Sequence, residues 1–72
     1  FDKINFNLSK EVENCKVELI DIMGKVIRTE FYVNIRNIEF GGMHDLSNGV
    51  YVLRVSDTSK EKPLIVKKFI KH

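Results

Sequence analysis

One stretch limits the possible folds more than any other: Asn48-Gly49-Val50-Tyr51-Val52-Leu53-Arg54-Val55. Asn and Gly both tolerate positive φ, so the pair predicts a tight turn. The residues after it are β-branched or aromatic, types that suit a pleated surface. Tyr51, Leu53 and Val55 share one face at period two, and Val50, Val52 and Arg54 share the other. Both faces are largely apolar, which predicts a central strand covered on one or both sides.

The rest of the chain repeats this grammar. Ile4, Phe6 and Leu8 alternate with Lys3, Asn5 and Asn7, which predicts a half-buried strand. Ser9 to Asn14 is polar and reads as a loop, with no capping box to start a helix. From Cys15 to Leu19 the odd positions point inward. The apolar phase then moves to Ile20 and Ile22, which predicts either a β-bulge or burial of both faces. Met23-Gly24-Lys25 reads as a tight turn, with Gly24 supplying positive φ. Val26 to Phe31 is the return strand, and Tyr32-Val33-Asn34 continues or bends it. Ile35 to Phe40 reads as a further strand, Gly41-Gly42 as a break, and Met43 to Leu46 as at most a short edge strand. Asp57 to Lys62 is a polar hairpin loop, and Pro63 belongs at a strand start or sheet edge. The last strand, Leu64 to Ile70, sends Val66, Lys68 and Ile70 one way and Ile65, Lys67 and Phe69 the other.

No segment sustains a 3.6-residue period. The expected fold is all-β: a small immunoglobulin-like antiparallel β-sandwich of about seven short strands. Seventy-two residues suffice for one domain, 1–72. A chain of this size buries only about 60% of its unfolded surface, so its stability is expected to be modest. Phe1 is not an initiator methionine, and the chain reads as a fragment of a longer secreted protein. No apolar run is long enough to span a membrane as a helix.

Little in the sequence points to chemistry. Cys15 is the single cysteine, so no internal disulfide forms, and it reads as a small buried apolar residue. His44 stands beside Asp45, but with no further ligand at useful spacing the pair reads as neither a metal site nor a dyad. No phosphate loop, dinucleotide fingerprint or zinc pattern occurs, so neither a catalytic site nor a cofactor is expected. The net charge of +2 is too small to imply nucleic acid, but it is unevenly spread. Residues 55–72 hold five lysines against Asp57 and Glu61, a net of +3, leaving −1 for the remainder. Lys67-Lys68-Phe69-Ile70-Lys71 is therefore β-forming and basic on both faces. One reading is an edge strand guarded by lysines against self-pairing. The other is an address for a receptor, with ammonium groups meeting an acidic groove and Phe69 or Ile70 as anchor. Two open edges without a disulfide also permit self-association by strand pairing.

Three segments occur in a recognisable order: Val17 to Val26 with its Asp21-x-x-Gly24-Lys25 turn, Asp45 to Val55 with Gly49-Val50-Tyr51, and Lys67 to Lys71. This set resembles the type A C-terminal sorting domains of the type IX, or Por, secretion system of Bacteroidota. The resemblance implies a secretion signal that directs an upstream cargo across the outer membrane through the type IX translocon. Shuttle proteins and a sortase-like cysteine peptidase would be its partners. Its location would be the periplasm in transit, then the outer-membrane surface or the medium. Gly24, Gly49 and Tyr51 carry over as fold-forming residues, and Lys67, Lys68, Phe69, Ile70 and Lys71 as the recognition surface. The segment before Gly49 is shorter than the family's usual form, which implies a cramped or missing strand there. The alternative function is an accessory carbohydrate- or protein-binding module with Phe1, Tyr32 and Phe69 as its aromatic platform. A plain spacer is a third reading.

Overall fold

The structure, a computed structural model, describes residues 3–60 and 62–72. Among the described residues four strands form one antiparallel sheet: β1 (Ile4–Asp21), β2 (Val26–Phe40), β3 (Gly49–Asp57) and β4 (Lys62–Lys71). Their spatial order is β2-β1-β3-β4, so β1 and β3 are interior and β2 and β4 are edges. No helix occurs among the described residues.

The expected seven strands reduce to four for a definite reason. Ser9 to Asn14 is not a loop but part of β1, and residues 26–33 and 35–40 are one strand. Polar side chains at these places point to solvent, and the backbone ladder continues past them with shifts in register. The β1–β2 pairing jumps from Asn7↔Asn37 to Val12↔Ile35, leaving three extra residues on β1. Asn34 takes a positive φ of 51° beside this irregularity. A bulge bends the strand and increases its twist. Met43 to Leu46 forms a turn instead of the short strand. Among the described residues there is also no second sheet, so the immunoglobulin-like sandwich is replaced by one sheet bent over itself.

The bend can be measured. Arg28 and Phe40 are 12 residues apart on β2, about 40 Å on a straight strand. The Arg28 guanidinium nevertheless lies 4.1 Å from the Phe40 ring centroid, and the whole molecule is 32 Å long. The far end of the β1–β2 hairpin therefore folds across the inner face. Phe6 and Leu8 of β1 and Ile38 and Phe40 of β2 join Val17, Leu19, Tyr51, Leu53 and Val55 in one core. Met43, fully buried, plugs it from the 41–48 loop. Burying each such side chain contributes about 1.5–3 kcal/mol before ordering costs.

The alternation expected for Tyr51, Leu53 and Val55 holds: all are buried, while Val50, Val52 and Arg54 are half-buried. The phase change after Leu19 coincides with a register shift between Leu19 and Ile20. Cys15 is buried as expected, and burial followed by the charge of Asp57 pushes its thiol pKa up. Pro63 lies near the start of edge strand β4, beside the shift between Val55 and Ser56.

Candidate functional site on strand β4

The basic strand singled out by its lysines is fully integrated into the sheet. From Ile65 to Lys71 it pairs continuously with Val55 to Gly49 of β3. Period two then divides its residues between two tasks.

On the inner side, Phe69 is half-buried and stacks on Tyr51, with ring centroids 5.6 Å apart and planes at 23°. Lys67 is exposed, but its ammonium sits 5.9 Å from the Phe6 ring centroid, over the bent end of β1. Lys71 donates hydrogen bonds to the carbonyls of His44 and Leu46, each 3.0 Å. Phe69 and Lys71 thus hold the fold together as well as occupying the expected recognition strand. On the outer side, Val66, Lys68 and Ile70 stand exposed. Lys68 lies opposite Val52, and Ile70 opposite Val50. The outward row is therefore one cation between two aliphatic side chains.

The fold-forming residues have separate physical roles. Asp21 closes the β1–β2 turn: its carboxylate accepts from the Met23 and Lys25 N–H groups, both at 2.9 Å. Gly24 has φ of 85° and donates its N–H to the Asp21 carbonyl. This is the Asp-x-x-Gly-Lys pattern as a mechanical unit, in which Asp21 acts alongside Gly24. The signal for Asp21 was an aspartate two residues before a backbone donor, a common turn device. Tyr51 donates its hydroxyl to the Ser47 carbonyl at 2.6 Å and so anchors the loop entering β3. Gly49 behaves differently from expectation. Neither Asn48 nor Gly49 has positive φ, and a methyl at Gly49 would meet only Tyr51 Cε2, at an ordinary 3.9 Å. Neither conformation nor space demands glycine there. The residue with positive φ in this region is Gly42, at 68°.

The 41–48 loop gathers three of these anchors. Arg28 donates to the Gly42 carbonyl, Lys71 to His44 and Leu46, and Tyr51 to Ser47. The loop therefore spans from one sheet edge to the other. Under it, Arg28, Glu30 and Tyr32 line the side of β2 facing the core's margin. Both Arg28 and the Tyr32 hydroxyl donate to the Glu30 carboxylate. Burial opposes ionisation of Glu30, but these bonds outweigh it and hold its pKa below the usual carboxylate range. Burial, reinforced by the bond to Glu30, pushes Tyr32 up to about 12.

His44 and Asp45 do meet, with Nε2 to carboxylate at 3.3 Å, because they occupy a turn. Among the described residues no group of three or more potential ligands is placed to hold a metal. Of the three aromatics expected for a binding platform, Tyr32 and Phe69 are half-buried in these contacts, and Phe1 lies outside the described residues. On the outer face, Glu18 is nearly buried and paired with Arg54, whose guanidinium approaches to 2.8 Å.

Compared with known proteins, the family model of the secretion system C-terminal sorting domain matches residues 2–72. No curated protein and no solved structure matches the chain.

Proposed function

This chain belongs to the family of secretion system C-terminal sorting domains, and from that premise we propose that it carries an upstream cargo through the type IX translocon. Sorting by this family serves a protein that is secreted past the outer membrane. The observation that carries the reading is the family match across residues 2–72. The strand geometry supports it: the three motif segments form the β1–β2 turn, the interior strand β3 and the basic edge strand β4. On this reading the domain is a substrate of the secretion machinery and not a catalyst. Shuttle proteins deliver it to the translocon, a sortase-like cysteine peptidase removes it, and the cargo remains on the cell surface or enters the medium.

The outward residues of β4 are the part of the expected recognition surface that can be altered without disturbing the core. Lys68 and Ile70 are exposed, whereas Phe69 and Lys71 brace Tyr51 and the 41–48 loop. The test is a reporter fused behind a signal peptide and ahead of this domain with its native upstream sequence. Export is compared in a type IX-competent strain and a translocon-deficient one. Translocon-dependent export that Lys68→Glu with Ile70→Ser abolishes, in a domain still folded by circular dichroism, is the expected result. Export that is indifferent to the translocon refutes the sorting function, and full export of the double variant refutes the assignment to β4.

A further inference from the structure

An open antiparallel sheet exposes a row of backbone N–H and C=O groups at each edge, and each row can template another strand. The two edges here are not equivalent. On β2, Asn34 at φ of 51° and the register jump beside it interrupt the row. Bulges of this kind twist an edge away from pairing. On β4, pairing with β3 runs in unbroken register from Ile65 to Lys71, and its irregularity lies before Ile65, next to Pro63. Seven regular residues present about 23 Å of straight edge. Among the described residues no strand lies on that side.

The side chains along this edge select what can occupy it. β4 contains Lys62, Lys67, Lys68 and Lys71 and no acidic residue. Lys71 is engaged by the 41–48 loop. Lys68 faces Val52 across the ladder, and Val52 in turn faces Ile20, so no carboxylate lies in its row. A second copy of the chain is a poor occupant. In two-fold antiparallel registers centred on Lys67 and Lys68, lysines fall opposite or diagonal to lysines, which is destabilising. An acidic strand reverses the sign of the same term.

We propose that β4 is a strand-addition site for an extended acidic segment of a partner protein, with carboxylates opposite Lys67 and Lys68 and aliphatic side chains beside Val66 and Ile70. Main-chain bonds supply the affinity and the lysines supply the selection. This rests on the sorting reading and gives the chemistry of the partner that reads the domain. It also shifts the apolar anchor to Ile70 and Val66, because Phe69 is turned inward onto Tyr51.

The test uses the full chain and two capped heptapeptides, Thr-Val-Thr-Glu-Glu-Val-Thr and Thr-Val-Thr-Lys-Lys-Val-Thr, whose adjacent charged pair can face Lys67 and Lys68 on the two sides of the sheet while the valines meet Ile70 and Val66, followed by amide NMR and hydrogen exchange. The acidic peptide is expected to shift residues 64–71 and to protect alternate amides between Ile65 and Lys71. The basic peptide is expected to bind at least about tenfold more weakly. Lys68→Glu, on an exposed side chain, is expected to weaken the acidic peptide about tenfold by replacing attraction with repulsion. Equal binding of both peptides, no binding of either, protection on β2 instead, or dimerisation of the chain through β4 overturns the proposal. Export that depends on translocon and tail without any acidic-peptide binding sinks this inference and leaves the sorting function intact. Acidic-peptide binding in a domain whose export ignores the translocon does the reverse.

Discussion

Gly24 offers a clean measurement of what the β1–β2 turn requires. Its φ is 85°, in the left-handed region, and a methyl built on its Cα meets no atom within 4 Å. Replacement by L-alanine therefore tests backbone conformation alone, with no clash and no lost side-chain contact. The left-handed conformation costs an L-residue about 1–2 kcal/mol. A domain of this length loses about 4–8 °C of Tm per kcal/mol, so Gly24→Ala should melt about 4–16 °C lower. Asparagine, which visits this region more readily, should fall between glycine and alanine. The decisive control is D-alanine at position 24, introduced by chemical synthesis. It favours positive φ and restricts the unfolded chain, so it should match or exceed the wild-type stability. Urea denaturation monitored by circular dichroism reads all four proteins. Equal stability of the L- and D-alanine forms would refute the conformational argument, as would a loss far beyond 2 kcal/mol, which would require a contact that the structure does not contain.

Other predictions concern side chains. Tyr51→Phe keeps the stacking on Phe69 but deletes the hydroxyl bond to Ser47, and should cost about 0.5–1.5 kcal/mol by urea denaturation, with faster amide exchange in residues 43–47. Tyr32→Phe should flatten the stability profile at both pH extremes. Glu30 has a depressed folded pKa, so its stabilisation is present above its unfolded value of about 4.3 and fades as pH falls below it. Tyr32, raised to about 12, stabilises below its unfolded value of about 10, and that contribution is lost as pH climbs from there to 12. Removing the hydroxyl weakens the first effect and abolishes the second, and an unchanged acid limb in pH-dependent urea titrations would count against the Tyr32–Glu30 coupling. Cys15, buried with a raised thiol pKa, should react with an aromatic disulfide reagent on the order of a thousandfold more slowly than in the unfolded chain, with labelling that accelerates in step with urea unfolding.

Side-chain alternation was a good guide wherever a strand was straight. It separated Val66, Lys68 and Ile70 from Ile65, Lys67 and Phe69, and it placed Tyr51, Leu53 and Val55 in the core. It failed at Ser9–Asn14, where polarity suggested a loop, and at Ile35, where a further strand was expected to begin. Backbone hydrogen bonding does not depend on side-chain polarity, so the ladder crossed both places as irregularities within long strands. The same limit applies to Asn48-Gly49. Their tolerance of positive φ was legible, but the chain uses that freedom at Gly42, where the 41–48 loop leaves β2.

What the residues determined locally was therefore the all-β character, the inward and outward faces, the Asp21–Lys25 turn and the basic edge. These follow from dihedral preference, period-two geometry and charge, all of which act between near neighbours. What only the tertiary structure decided was that the β1–β2 hairpin folds back over its own sheet, bringing Arg28 onto Phe40 and Lys67 toward Phe6. The same folding divides the basic strand between Lys71, bound to the 41–48 loop, and Lys68, directed outward. Those outcomes depend on side chains between 12 and 61 residues apart along the chain finding each other, and no local preference encodes which distant partner a buried face will meet.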